Sequence, residues 1–139
     1  MQLIVADSSV IVKWLSDENE ERLIEAAEIL KDARNNKIIL YAPGISRYEI
    51  GNALLKKKLK IILAQDTLTT AYELPVIFVT ETEKLAHETY EIALKTHITY
   101  YDASFIALAK QFRAILVTDN PKHQAKFKGV KVVPLKDYQ

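Results

Sequence analysis

Gln2–Ala6 reads QLIVA and stops at Asp7-Ser8-Ser9. A short, wholly apolar run ended by one carboxylate and two hydroxyls suits a parallel strand buried on both faces. Such a strand hands its last residue to the cap of a helix. Residues 10–15 (VIVKWL) then read as that short helix. Every later apolar run can be tested against the same pattern of strand, polar stop and helix.

The pattern repeats along the chain. Residues 18–34 carry Leu23, Ala27 and Leu30 at helical spacing, with Asp17 placed to cap and Glu20 three residues on. Residues 37–42 (KIILYA) form a second strand closed by Pro43-Gly44, and residues 46–58 a helix with Ser46 as its cap. Residues 61–74 continue helically to Pro75, which makes a helical hairpin with the preceding segment. Val76–Val79 (VIFV) is a third strand, and residues 82–97 a helix with Ala86, Tyr90, Ala93 and Leu94 as its inward stripe. Residues 101–112 are helical and apolar on nearly every side, as expected of a helix sandwiched inside the protein. Residues 114–118 (AILVT) give a fourth strand, interrupted by Asp119-Asn120-Pro121, and residues 130–133 a last one. Apolar strands separated by helices predict an α/β layered fold on a parallel sheet.

In such a sheet all strand C-termini share one edge, where open α/β proteins place their ligands. Asp7 follows the first strand at that edge and Asp119 follows the fourth. Glu49 sits one turn into the helix leaving the second strand. The helix carrying Asp102 feeds into the fourth strand through a short turn, so it runs antiparallel to that strand and starts at the same edge. Four carboxylates from distant positions therefore converge. Each also has a local explanation. Ser46-Arg47-Tyr48-Glu49 and Thr99-Tyr100-Tyr101-Asp102 fit the capping-box spacing, Asp7 can cap the helix after it, and Asp119 can form an Asx turn before Pro121. Taken together, four acids on one concave edge repel one another unless a cation holds them.

Composition narrows the chemistry. The chain has 139 residues, 49% of them hydrophobic, which suits one domain spanning 1–139. No apolar run is long enough to span a bilayer and no basic region leads into a signal-like core, so the reading is a cytoplasmic protein without a membrane partner. With no Cys, disulfides, zinc ribbons and thiol catalysis are excluded. His87 and His97 fall on different faces of one helix and make no ligand pair. An all-oxygen cluster favours Mg²⁺ or Mn²⁺ over zinc, and such a metal would acidify a bound water and neutralise a phosphate oxygen. Nineteen basic against eighteen acidic residues give a charge of +1, so any case for a polyanionic partner is local. Lys56, Lys57, Lys58 and Lys60 close one helix, and Lys122, His123, Lys126, Lys128 and Lys131 crowd the C-terminal region. Either group reads as a solvated surface or as phosphate contacts.

Four segments, LIVADSSVIVKWL, SRYEIGNALLKK, THITYYDASFIALAK and AILVTDN, resemble in order the motifs of PIN-domain nucleases, especially the VapC type of toxin. The resemblance runs from Leu3 to Pro134. It implies a three-layer α/β/α sandwich around a five-stranded parallel sheet, and Mg²⁺- or Mn²⁺-dependent cleavage of RNA. It also implies that Asp7, Glu49, Asp102 and Asp119 are the acidic quartet that binds metal and carries catalysis. Ser8 or Ser9, Asn52 and Thr118 would be the polar neighbours that orient those carboxylates; Asn52 reads equally as an exposed helix residue. The resemblance further implies a homodimer and a small antitoxin that blocks the site with a basic side chain. Two other functions fit the residues: a non-catalytic RNA-binding or protein-interaction domain of the same fold, and a phosphoacceptor domain. The helical placement of Glu49 and Asp102 argues against the latter.

Overall fold

The computed structural model describes all 139 residues. The central strand β1 (Gln2–Ala6) pairs in parallel with β2 (Ile38–Pro43) on one side and β4 (Ile115–Thr118) on the other. β3 (Val76–Val79) extends the sheet beyond β2 and β5 (Val132–Pro134) beyond β4, giving the all-parallel order β3-β2-β1-β4-β5. Side chains alternate along each strand, so one strand feeds two cores. Ile4 and Ala6 enter a core with α1 (Ser8–Leu15), α2 (Leu23–Arg34), α3 (Ser46–Lys56) and the start of β3. Val5 enters the opposite core with α5 (Glu83–Thr96) and α6 (Tyr100–Phe112). The result is a helix–sheet–helix sandwich. Ile4, Val5 and Ala6 have no exposed surface, and complete burial of an Ile or Val side chain stabilises by roughly 1.5–3 kcal/mol.

α6 is the buried helix its composition predicts: Ala103, Phe105, Ile106, Ala107, Leu108 and Ala109 are all inaccessible or nearly so. Stacking of Phe112 on Tyr41, with ring centroids 4.4 Å apart, ties its C-terminal end to β2. The hairpin of α3 and α4 (Ile61–Glu73) also forms, and Lys58 at φ 57° provides the left-handed break between the two helices. The Arg47 guanidinium sits 4.0 Å over the Tyr72 ring and 3.9 Å over Phe78, which pins the start of α3 to α4 and β3.

Four expectations of detail are overturned. α2 begins at Leu23 rather than at 18, because the Glu20 carboxylate is taken by Lys13 and Lys57 instead of closing a capping box from Asp17. Its buried residues are Ala26, Ile29 and Ala33, a different stripe from Leu23, Ala27 and Leu30. In α5 the buried residues are Leu85, Thr89 and Ile92, while Tyr90 and Leu94 are exposed. Thr89 qualifies for the interior because its hydroxyl donates to the Leu85 carbonyl at 2.7 Å, which hides its polarity within the helix. Ser46 is the first helical residue and not the cap; its buried hydroxyl donates to the Pro43 carbonyl at 2.7 Å.

Candidate active site

The parallel sheet delivers Asp7 and Asp119 to one edge as the residues following β1 and β4. Glu49 stands in the first turn of α3 and Asp102 in the first turn of α6. Asp7 is a helix cap as well as a site candidate. Its Oδ2 accepts from the Ser9 amide at 3.2 Å and the Ser9 hydroxyl at 2.6 Å, while its Oδ1 accepts from Nε2 of Gln124 at 3.2 Å. The same Ser9 hydroxyl accepts from the Asp119 amide at 3.2 Å and so links the ends of β1 and β4.

Glu49 makes no capping box. Its Oε1 accepts from the buried Ser8 hydroxyl at 3.0 Å. Burial, followed by the charges of Asp7 and Asp102, pushes its carboxyl above the usual range against the opposing Ser8 hydrogen bond. Asp102 has half of its predicted box: its amide donates to Oγ1 of Thr99 at 3.1 Å. Burial and then the charge of Asp7 raise its carboxyl too, with the Thr99 hydrogen bond and then His123 partly offsetting them. The charge of Asp7 thus reaches both Glu49 and Asp102 and opposes their ionisation.

Asp119 stands apart from this trio in its chemistry. Its Oδ2 lies 3.0 Å from Nζ of Lys13, whose side chain is only 2% exposed. Lys13 also binds Glu20 Oε1 at 3.0 Å and donates to the Glu21 carbonyl at 2.6 Å. Burial opposes the charge on Lys13, yet the hydrogen bonds to Glu20 and Asp119 and their charges raise its pKa overall. The Asx turn read at Asp119 is absent; instead Oγ1 of buried Thr118 accepts from the Asn120 amide at 3.1 Å and shapes that turn. Asn52 is exposed and bonds to none of the acids. His87 lies in an exposed i,i+4 pair with Glu83, and His97 ends α5 in the left-handed conformation.

Two residues of this edge were not singled out from the sequence. Lys13 is a charge set inside the apolar run VIVKWL, and that misfit is a readable signal. Gln124 carried none. It is 2% exposed and its Nε2 joins Asp7 Oδ1 to the Asp102 carbonyl, the latter at 3.3 Å. Its own Oε1 is buried without a partner.

No three His, Cys, Asp or Glu side chains close into a ready-made metal cage. The donor set still fits a hard divalent cation. It is all oxygen, the trio carries mutually opposed negative charge, and Mg²⁺ takes only one or two carboxylates directly while keeping several waters.

The PIN domain family matches residues 4–129. Ribonuclease VapC3 of Pyrobaculum aerophilum is 24% identical over 132 residues, spanning 91% of this chain and 95% of that protein. Among solved structures, VapBC2 from Rickettsia felis bound to a DNA fragment from their promoter superposes with a TM-score of 0.74 at 16% identity, covering 96% of this chain and 98% of that one. Mycobacterium tuberculosis VapC20, described as a Sarcin-Ricin loop cleaving toxin, superposes with a TM-score of 0.67 at 15% identity, covering 92% and 98%. The family match takes in all four acids and Gln124, and by it this chain belongs to the PIN-domain family.

Proposed function

We propose that this protein is a divalent-metal-dependent endoribonuclease and the toxin of a VapBC-type toxin–antitoxin pair. The observation that carries the reading is the trio Asp7, Glu49 and Asp102 at the C-terminal edge of the sheet, with Glu49 and Asp102 held above their ordinary pKa by burial and by the charge of Asp7. The relative named as a ribonuclease and the neighbour described as a cleaving toxin support the same reaction. Neighbours solved as toxin–antitoxin complexes support an antitoxin partner.

Asp7, Glu49 and Asp102 would hold Mg²⁺ or Mn²⁺. Bound there, such a cation supplies charge neutralisation at the phosphate and an acidified water. The protein's own contribution is positioning. Ser9 and Gln124 fix both oxygens of Asp7. Glu49, bonded to Ser8 through Oε1, keeps Oε2 for a cation or a proton. Asp119, charge-paired with Lys13, orients the turn after β4 through its amide on Ser9.

Purified protein should cut RNA with Mg²⁺ or Mn²⁺ and stop in EDTA. Asp7→Asn and Asp102→Asn should each lower the rate by about 100-fold or more without unfolding the chain; full activity in both would remove the proposal. The open arrangement of the carboxylates also favours one alternative, a non-catalytic RNA-binding domain of the same fold. Binding without cleavage across a broad RNA panel would select it.

A further inference from the structure

Beside the acids, between the ends of β2 and β3 and helices α5 and α6, lies a cavity of about 390 Å³, at the lower end of the size range of small-ligand sites. Val79, Leu85 and Leu108 give it apolar walls, while Glu81, Tyr100 and Tyr101 line it as exposed residues. Tyr101 immediately precedes Asp102, and the lining segment Pro43, Gly44 and Ile45 leads directly into the helix that carries Glu49. A ligand seated there borders the acidic edge.

Its chemistry can be read by asking which polar atoms are free. The Val79 carbonyl accepts from the Gly44 amide at 2.9 Å, Ser104 donates to the Tyr101 carbonyl at 2.6 Å, and Thr89 is committed to Leu85. Glu81 receives only the Tyr100 hydroxyl, on Oε1 at 3.1 Å, so Oε2 has no partner. Burial first, and then the Glu81 carboxylate, raise the Tyr100 phenol, which therefore stays protonated and remains the donor in that bond. A free carboxylate oxygen accepts and never donates. At its Glu81 end the cavity thus disfavours an anion and favours a flat, apolar-faced ligand whose edge carries donors. Tyrosine faces are sequence-tolerant stacking platforms for bases, and hydrogen bonds to the base edge supply the discrimination. Guanine alone among the four RNA bases offers two adjacent donors, N1–H and N2–H₂, to a single carboxylate.

We propose that this cavity is a guanine-binding subsite, with Glu81 reading the N1–H and N2–H₂ edge and Tyr101 supplying the stacking face. Its place beside a scissile phosphate rests on the ribonuclease reading; the base preference itself does not. An arginine side chain is also flat and donor-rich, but its slender guanidinium and flexible stem would leave more of the apolar wall uncovered than a bicyclic base does.

The test uses the full chain in EDTA, where cleavage is off, and fluorescein-labelled single-stranded tetranucleotides differing only in one base: guanine, adenine, cytosine, uracil or inosine. By anisotropy, the guanine oligonucleotide should bind roughly tenfold more tightly than the adenine one, with inosine, which lacks the 2-amino group, between them. Glu81→Gln should bring guanine down to the level of the other bases, and Tyr101→Ala should weaken all five. Both residues are exposed, and unchanged melting curves would confirm intact folding. Equal affinity for all bases, a guanine preference that survives Glu81→Gln, or stronger competition by arginine amide than by guanosine would overturn the proposal. Metal-dependent cleavage without base preference would sink the subsite and leave the ribonuclease standing; guanine-selective binding without any cleavage would do the reverse.

Discussion

Nζ of Lys13 lies 3.0 Å from Oδ2 of Asp119 and 3.0 Å from Oε1 of Glu20, so one buried ammonium serves two carboxylates. Lys57 reaches the other oxygen of Glu20 at 2.8 Å. The acid that follows β4 is therefore joined, charge by charge, to the end of α3. Removing the central cation leaves both acids without their shared partner. Lys13→Ala should destabilise the fold by about 2–3 kcal/mol, below the figure for a wholly buried pair because Asp119 is one-third exposed. Urea unfolding would measure it, and a loss under 0.5 kcal/mol, roughly the scale of an exposed pair, would contradict this account.

Glu20 also sets an acid limit. Burial works against its ionised form, but Lys57 and Lys13 prevail and hold it below its ordinary value of 4.5. A carboxyl depressed in the folded state contributes stability that is fully present above the unfolded pKa and lost as pH falls through the folded one. Wild type should lose stability below pH 4.5 more steeply than Glu20→Gln, which a pH series of melts would reveal.

Glu49 and Asp102 have the opposite sign. Their folded pKa values lie above the ordinary 4.5 and 3.8, so the native state holds their protons more tightly and metal-free stability falls as pH rises through the raised values. In EDTA at neutral pH, Glu49→Gln should raise the Tm by roughly a few degrees, and with Mg²⁺ or Mn²⁺ restored it should not cleave. Added Mg²⁺ or Mn²⁺ should raise the Tm of wild type and leave Glu49→Gln with a much smaller shift. An unchanged or lower Tm for the variant in EDTA would show that the acids do not strain one another.

Gln124→Leu removes the amide that joins Asp7 to the Asp102 carbonyl while keeping most of the buried volume. Metal affinity, read by the Tm shift, and cleavage should fall together by about 10–100-fold. Loss of fold stability without loss of metal affinity would reduce Gln124 to a packing residue.

The lysines at the end of α3 should divide into two classes. Lys57 is nearly buried, bonded to Glu20 and to the Glu18 carbonyl. Lys56, Lys58 and Lys60 are exposed. Neutralising those three should flatten the salt dependence of RNA binding if they meet phosphates, whereas Lys57→Ala should act on stability. Equal salt slopes for the triple variant and wild type would exclude this face from the RNA path.

The strands and the buried helix were legible because each is a continuous apolar run, and the parallel order follows once helices separate them. The placement of Asp7 and Asp119 after β1 and β4, and of Glu49 and Asp102 in the first turns of α3 and α6, was legible for the same topological reason. The stripe of α5 was not, because Thr89 looks polar until its hydroxyl is seen bonded within its own helix. The start of α2 was hidden by Glu20, whose partners lie on two other helices. Gln124 stands 117 positions from Asp7, and nothing local to either residue announces their bond.

β1 is the one strand that carries a site acid directly at its end and has two strands of the sheet on each side of it. Its amides should be the last in the molecule to exchange with deuterium, since they open only when the whole sheet does. Asp7 inherits that protection: warming or denaturant can loosen the exposed rim around it, but its backbone position is lost only when the whole chain unfolds. Along a denaturation curve the rim then loosens before Asp7 moves, and hydrogen exchange at β1 is what counts the folded molecules.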